Sequence, residues 1–333
     1  MIALCYGTRP EYIKILPLIT ILKKNNYPHI VIFTGQHEDI ANFNYDAKIE
    51  IKNGENRLNS IVTSIIDGLT EIIKNFNISH VMVQGDTSSA LGIAISAFNN
   101  NVQVIHLEAG LRTYDNENPY PEEMNRKLIS QIAAIHFCPT IKNAENLRNE
   151  HIFKSVHIVG NTVIDSLMPY KNDNKYENII LITLHRRENH YWLDKWFFEI
   201  NEIAKKYNDY EFILPIHPNP NVKKHRAILT NVKVIDSLSH EEFLKVLNKS
   251  KLVITDSGGI QEECSFFNKK CLVCRKVTER PEALGYSSFL VKKPSDLKKL
   301  FEYHINNYNI DYICPYGDGN SSIKIYNVLM NMT

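Results

Sequence analysis

The sequence predicts an α/β protein whose parallel sheets are divided between two domains, and three observations carry that prediction. Nine short apolar runs recur along the chain, at 2–6, 30–34, 81–84, 104–107, 179–183, 212–216, 232–235, 252–255 and 272–274. They are continuous in Val, Ile and Leu rather than alternating, as strands buried on both faces are, and amphipathic segments separate them. At 333 residues the chain exceeds what one typical core serves. The polar stretch YKNDNKYEN at 170–178 has no apolar period and marks a linker, which gives a first domain over 1–170 and a second over 171–319.

Composition narrows the function classes. Lys and Arg number 38 against 37 Asp and Glu, a net charge of +1, so no bulk electrostatic attraction to nucleic acid is expected. No apolar run reaches the roughly 18 residues of a membrane span, and Met1 leads straight into a strand-like run rather than a leader. The six cysteines fall mostly in apolar contexts, which suits reduced thiols in a cytoplasmic protein. Cys271 and Cys274 have the spacing of a metal or redox pair. They lie within a strand-like run, where alternation sends them to opposite faces, and no second pair completes a zinc site.

Taken in order, the first strand ends in Gly7-Thr8-Arg9-Pro10-Glu11, with Pro10 suited to a first helical turn. Arg9 then stands at the carboxyl end of a strand, where open α/β sheets meet phosphate, and Lys14 lies one turn further on. Alone, such a run is more often just a tight turn. Pro17 predicts a kink near Lys14. The strands at 81–84 and 104–107 lead to Asp86 and Glu108, and Glu122 and Glu123 open the helix that follows Pro121. An N-cap role for Asp86 and dipole complementarity for the two glutamates are good structural explanations. Asp86, Glu108 and Glu122 at one edge of a sheet nevertheless point to proton transfer, because clustered like charges are costly unless a reaction uses them.

In the second half, the strand at 179–183 runs towards His185, Arg186 and Arg187, and the strand at 212–216 runs into His217. Either histidine could donate to phosphate or move a proton, though His217 reads as structural. The strand at 252–255 runs into DSGGIQEE at 256–263. Gly258 and Gly259 let the backbone approach a ligand, and the first helical amides behind Ser257 have no partner of their own, so the turn suits phosphate. Glu263, one turn on, suits the two hydroxyls of a ribose. A serine-capped junction is the plain alternative. Arg280 supplies an arginine near the same turn. Gly317 and Gly319 follow no strand and lack a third glycine, which argues against a dinucleotide loop.

Nine motifs in order make the chain recognisable: GTRPE at 7–11, GDT at 85–87, EAGLRT at 108–113, PEEMNR at 121–126, GNTVID at 160–165, HRRE at 185–188, HPNPN at 217–221, DSGGIQEE at 256–263 and TERPE at 278–282. Together they resemble the non-hydrolysing UDP-N-acetylglucosamine 2-epimerases of the glycosyltransferase-B-like superfamily. The resemblance implies two Rossmann-like doubly wound domains facing across a cleft, with the last helix (320–333) returning to the first domain. It implies a UDP-sugar substrate, a homodimer, and neither metal nor nicotinamide. The family's UDP contacts carry over to Arg9, Lys14, Phe243, Ser257, Gly258, Gly259, Glu263 and Arg280, and its catalytic positions to Asp86, Glu108, Glu122 and His185. The implied chemistry is anti elimination of UDP to 2-acetamidoglucal, then re-addition with the proton returned to the other face of carbon 2.

There are departures. Leu238 replaces a Gln that often touches the nucleotide. Of the second UDP-N-acetylglucosamine site that activates many bacterial members, Gln36 and His37 remain, but Asp39 replaces a Gln and the Arg expected near Asn56 is not evident. Weak or absent activation, or a 6-deoxy hexosamine substrate, is the corresponding expectation. A hydrolysing epimerase, a UDP-sugar glycosyltransferase and an inactive UDP-sugar sensor are the competing classes.

Overall fold

The computed structural model describes residues 1–37, 43–171, 176–308 and 312–332, so Asp39 lies outside the described residues. The chain forms two compact units, Met1–Ser166 with Tyr316–Thr333, and Leu167–Pro315. The return to the first unit thus begins ahead of the last helix.

The first unit contains β1 (Ile2–Tyr6), α1 (Arg9–Lys24), β2 (His29–Phe33), β3 (Ala47–Lys48), α2 (Arg57–Phe76), β4 (His80–Gln84), α3 (Ser88–Asn99), β5 (Gln103–Leu107), α4 (Glu122–Ile132), β6 (Ile135–Cys138), α5 (Ile141–Asn149), β7 (Val156–Ile158) and α6 (Thr162–Leu167). Its seven strands are all parallel, in the order β3-β2-β1-β4-β5-β6-β7. The order reverses between β1 and β4, and crevices at such switch points, at the carboxyl ends of the strands, are where open α/β sheets bind ligands.

The second unit contains β8 (Ile179–Thr183), α7 (Leu193–Lys206), β9 (Glu211–Pro215), α8 (Pro220–Lys223), β10 (Lys233–Ile235), α9 (His240–Lys249), β11 (Leu252–Thr255), α10 (Gly258–Phe266), β12 (Lys270–Val273), β13 (Ser288–Leu290) and α11 (Leu297–Asn306). Its six parallel strands run β10-β9-β8-β11-β12-β13, with the reversal between β8 and β11. The last helix, α12 (Ser321–Met330), packs on α1 in the first unit and adds Ile325 and Leu329 to its core.

Local chemistry explains the element ends that matter. Thr8 and Glu11 form a capping box at the start of α1, and Glu11 also accepts from Thr87 Oγ1 at 2.6 Å. Pro17 does not end the helix. Proline removes the donor that would reach the Ile13 carbonyl, and Ser166 Oγ donates to that carbonyl at 3.3 Å instead. Cys271 meets Cys264, whereas Cys274 belongs to the second unit's core, so the two thiols do diverge.

Several buried histidines make the fold acid-sensitive. Burial pushes His106 down to about 3, against a hydrogen bond between its Nε2 and the Gly85 carbonyl, and burial pushes His304 down to about 4. Both folded values lie below the unfolded one of about 6.5, so below that pH the unfolded chain binds protons first and stability falls. Above about 6.5 neither contributes. Between pH 6.5 and 4 we expect each to remove up to about 1.4 kcal/mol of unfolding free energy per pH unit. Urea titrations of the wild type and of His106→Gln check this, because the variant should lose one histidine's share of the slope. An unchanged slope would refute the assignment.

Candidate active site

At the first unit's switch point, β4 ends at Gln84 and is followed by Asp86, while β5 is followed by Glu108. Glu108 has a left-handed backbone at φ +67°, a costly conformation for a glutamate that surrounding contacts must sustain. They do so through its carboxylate. Lys14 Nζ lies 2.6 Å from each oxygen, Asn161 Nδ2 donates to Oε1 at 2.8 Å, and Gln84 Nε2 donates to Oε2. A carboxylate so supplied with donors is favoured over the acid form.

Asp86 sits in a different arrangement. Its Oδ2 accepts from Arg126 Nη1 at 2.5 Å, and its carbonyl accepts from Asn125 Nδ2 at 2.8 Å. Arg126 also donates to Glu123 Oε2 at 2.7 Å, and Glu123 accepts the amides of Thr113 and Tyr114. Burial works against the Glu123 charge, but Arg126 and those amides outweigh it and hold the carboxyl below the usual range. Glu123 is therefore spent on structure. Glu122, its neighbour in the first turn of α4, is half-buried. Mutual repulsion among bare acids is not what organises this edge, since Asp86 has Arg126 and Glu108 has Lys14. Lys14, expected at a phosphate, is held at Glu108, while Arg9 is exposed at the first position of α1.

In the second unit the fully buried Asp256 accepts the amides of His185 and Arg186 at 3.0 and 2.9 Å, and Asn189 Nδ2 at 3.0 Å. It fixes the turn that carries His185, whose ring stacks on His217 at 5.0 Å and an interplanar angle of 7°. Burial lowers the pKa of both rings. For His185 it outweighs the pull of Asp256, so the imidazole is neutral near pH 7. His217 is thus the ring against which His185 packs.

Ser257 occupies the N-cap of α10 without making a side-chain cap hydrogen bond, contrary to the plain serine-cap reading. A Cβ on Gly258 would meet the Arg280 guanidinium and the Glu279 carboxylate, which would have to shift, whereas a Cβ on Gly259 would meet open space. Of the two glycines, only Gly259 leaves room for a ligand. Arg280 donates to Glu262 Oε1 at 2.7 Å and to Glu279, and Arg275 joins Glu279 at 2.8 Å and Glu188 at 2.7 Å. Arg280 is thus a strut of the turn with two carboxylates on its guanidinium. Glu263 is buried. Its Oε1 lies 3.7 Å from His240 Nε2, and its Oε2 has no hydrogen-bond partner among the described residues. A buried carboxylate oxygen without a donor is unusual and points to one supplied from outside. Phe243, three residues after His240 on α9, shares that helix's face and is half-buried.

The model of the family described as UDP-N-acetylglucosamine 2-epimerase matches residues 20–330. The chain belongs to this family. It is 38% identical to the UDP-N-acetylglucosamine 2-epimerase of Campylobacter jejuni, over 99% of this chain and 97% of that one. The crystal structure of the Neisseria meningitidis UDP-GlcNAc 2-epimerase bound to UDP-GlcNAc is 36% identical, with a TM-score of 0.91 and 99% of each chain covered. The Methanocaldococcus jannaschii UDP-GlcNAc 2-epimerase in complex with UDP-GlcNAc and UDP is 30% identical, with a TM-score of 0.86 over 99% of each chain.

One departure from the family motif needs correction. Arg57 directly follows Asn56, opens α2, and donates its Nη2 to the Gln36 carbonyl at 3.1 Å. An arginine therefore does stand beside the Gln36-His37 pair. Sequence reading also passed over Gln84, Arg126, Asn161, Asp256 and His240 as individual residues. Gln84 carried a signal of its own, an amide at the end of an otherwise apolar strand.

Proposed function

We propose that this enzyme interconverts UDP-N-acetylglucosamine and UDP-N-acetylmannosamine without releasing free sugar. The observation that carries the reading is Glu108, a strained and buried carboxylate held by Lys14, Gln84 and Asn161 at the switch point of the first unit. The sugar is assigned to this unit and the UDP to the second, where Ser257, Gly259 and Glu263 stand. In elimination, an acid of the set Asp86, Glu108 and Glu122 removes the proton from carbon 2. The C–H electron pair forms the double bond to carbon 1, and the bond from carbon 1 to the diphosphate oxygen breaks, releasing UDP and 2-acetamidoglucal. The oxygen then re-adds to carbon 1, and the proton returns to the opposite face of carbon 2.

Charge develops on the departing diphosphate. The first amides of α10 and the neutral His185, as donor, are the groups of the second unit assigned to it, and one well-placed donor is worth on the order of 3 kcal/mol of barrier. A homodimer acting on a cytoplasmic nucleotide sugar completes the proposal. Proton NMR of the protein incubated with UDP-N-acetylglucosamine tests it, with UDP-N-acetylmannosamine as the expected new species. Free N-acetylmannosamine with UDP would assign a hydrolysing enzyme instead, and an unchanged spectrum would remove the reading.

A further inference from the structure

Asn161 is distant in sequence from the acids of the site, and the chain closes around it from its C-terminal end. Its side chain bridges two tasks: Nδ2 donates to Glu108 Oε1 at 2.8 Å, while Oδ1 accepts the amide of Val163 at 3.1 Å, which fixes the amide's orientation. Its backbone is held at both poles by the returning segment. The Asn161 amide donates to the Tyr316 carbonyl at 2.6 Å, and Ser321 Oγ donates to the Asn161 carbonyl at 3.2 Å. Gly160, at φ +89°, lets the strands of this knot approach, since a Cβ there would collide with Ser321 Oγ. Asp165 completes the clasp by accepting the amides of Ser321 and Ser322 at 3.0 and 2.7 Å and the Ser322 hydroxyl at 2.6 Å.

We propose that Asn161 is a positioning residue for Glu108, and that residues 316–322, clasped by Asp165, set Asn161 in place. The start of α12 thereby belongs to the catalytic apparatus. Lys14, Gln84 and Asn161 all donate to Glu108, Lys14 with a charge and the other two as neutral amides. Asn161 shares Oε1 with Lys14 and is the neutral, backbone-anchored donor to it, at a glutamate whose own backbone is strained. Without it, Glu108 loses both orientation and part of the stabilisation of its ionised form.

The inference rests on the role given to Glu108 above, and the test separates the two. Wild-type protein is first assayed for epimerised product; if none forms, the functional reading fails before Asn161 is addressed. Given an active wild type, Asn161→Ala should lower kcat by roughly tenfold to 100-fold with KM little changed, and should move the acidic limb of the kcat profile upward by about one pH unit. Asn161→Asp should be the more damaging at pH 8, because it keeps the shape and the Val163 contact but sets a second carboxylate beside Glu108. A purely structural Asn161 predicts the reverse order, since Asp is the near-isostere, and predicts an unmoved acidic limb. Asp165→Asn, outside the site, should lower kcat several-fold and move the same limb in the same direction while the protein remains folded by circular dichroism. An unmoved limb in both Asn161→Ala and Asp165→Asn, or Asn161→Asp milder than Asn161→Ala, overturns the proposal.

Discussion

Glu108→Gln should slow epimerisation by at least ~100-fold, the usual scale for a lost acid–base group, while UDP affinity stays close to wild type. The split follows from where the residues stand. Glu108 belongs to the first unit and contacts Lys14, Gln84 and Asn161, whereas Ser257, Gly259 and Glu263 belong to the second. Glutamine also places an NH2 group against the donors Lys14, Gln84 and Asn161, so part of the loss reflects a disturbed Lys14, and a thermal melt measures that share. Glu122→Gln serves as the companion variant, since Glu122 is half-buried and its replacement disturbs less. Turnover in deuterated water provides an independent check, because proton removal and return at carbon 2 place deuterium there in the product. Hydride transfer at a neighbouring carbon would leave the original hydrogen in place. Epimerised product without deuterium at carbon 2 contradicts the mechanism, and an undiminished kcat in both variants removes the acids from it.

What sequence could and could not supply is clear at these same residues. Strand ends were readable because unbroken apolar runs stop abruptly at them, which is how Asp86, Glu108, His185 and Ser257 were located. The expected strands at 2–6, 179–183 and 252–255 recur as β1, β8 and β11 with the same limits. Strands β3, β7 and β13 were not expected; each is only two or three residues long and incompletely buried. Strand β6 was missed because His136 interrupts its apolar pattern while being buried itself.

Partners were less legible than positions, since pairing is decided by how helices pack. Lys14 and Glu108 are 94 residues apart, and Asp86 and Arg126 are 40 apart. Adjacent acids also diverge. Glu122 and Glu123 look equivalent in sequence, but successive helical residues point about 100° apart, which buries Glu123 on Arg126 and leaves its neighbour half-buried. Arg280 shows the same limit. It does stand against the glycine turn, yet Glu262 and Glu279, which claim its guanidinium, are ordinary surface residue types that only the fold turns inward.

Glu263→Ala should weaken UDP by about 2 kcal/mol, close to 30-fold in Kd, because a desolvated pair of hydroxyls loses its charged acceptor. The same substitution should leave thermal stability unchanged or raise it. Glu263 is 7% exposed, its Oε2 has no hydrogen-bond partner among the described residues, and its other oxygen is 3.7 Å from His240. Burying such a carboxylate costs free energy that the ligand-free protein does not recover, and removing it relieves that cost. A structural glutamate behaves oppositely, since its loss strands donors and lowers the melting temperature without regard to ligand. Glu263→Gln gives an intermediate case: it keeps an acceptor oxygen but loses the charge, so its UDP affinity should fall between wild type and Glu263→Ala. Calorimetric titration with UDP and melting curves of both variants provide the two readouts. UDP affinity unaltered in Glu263→Ala, or a melting temperature that falls together with affinity, would mean that Glu263 supports the fold and that the ribose is held elsewhere.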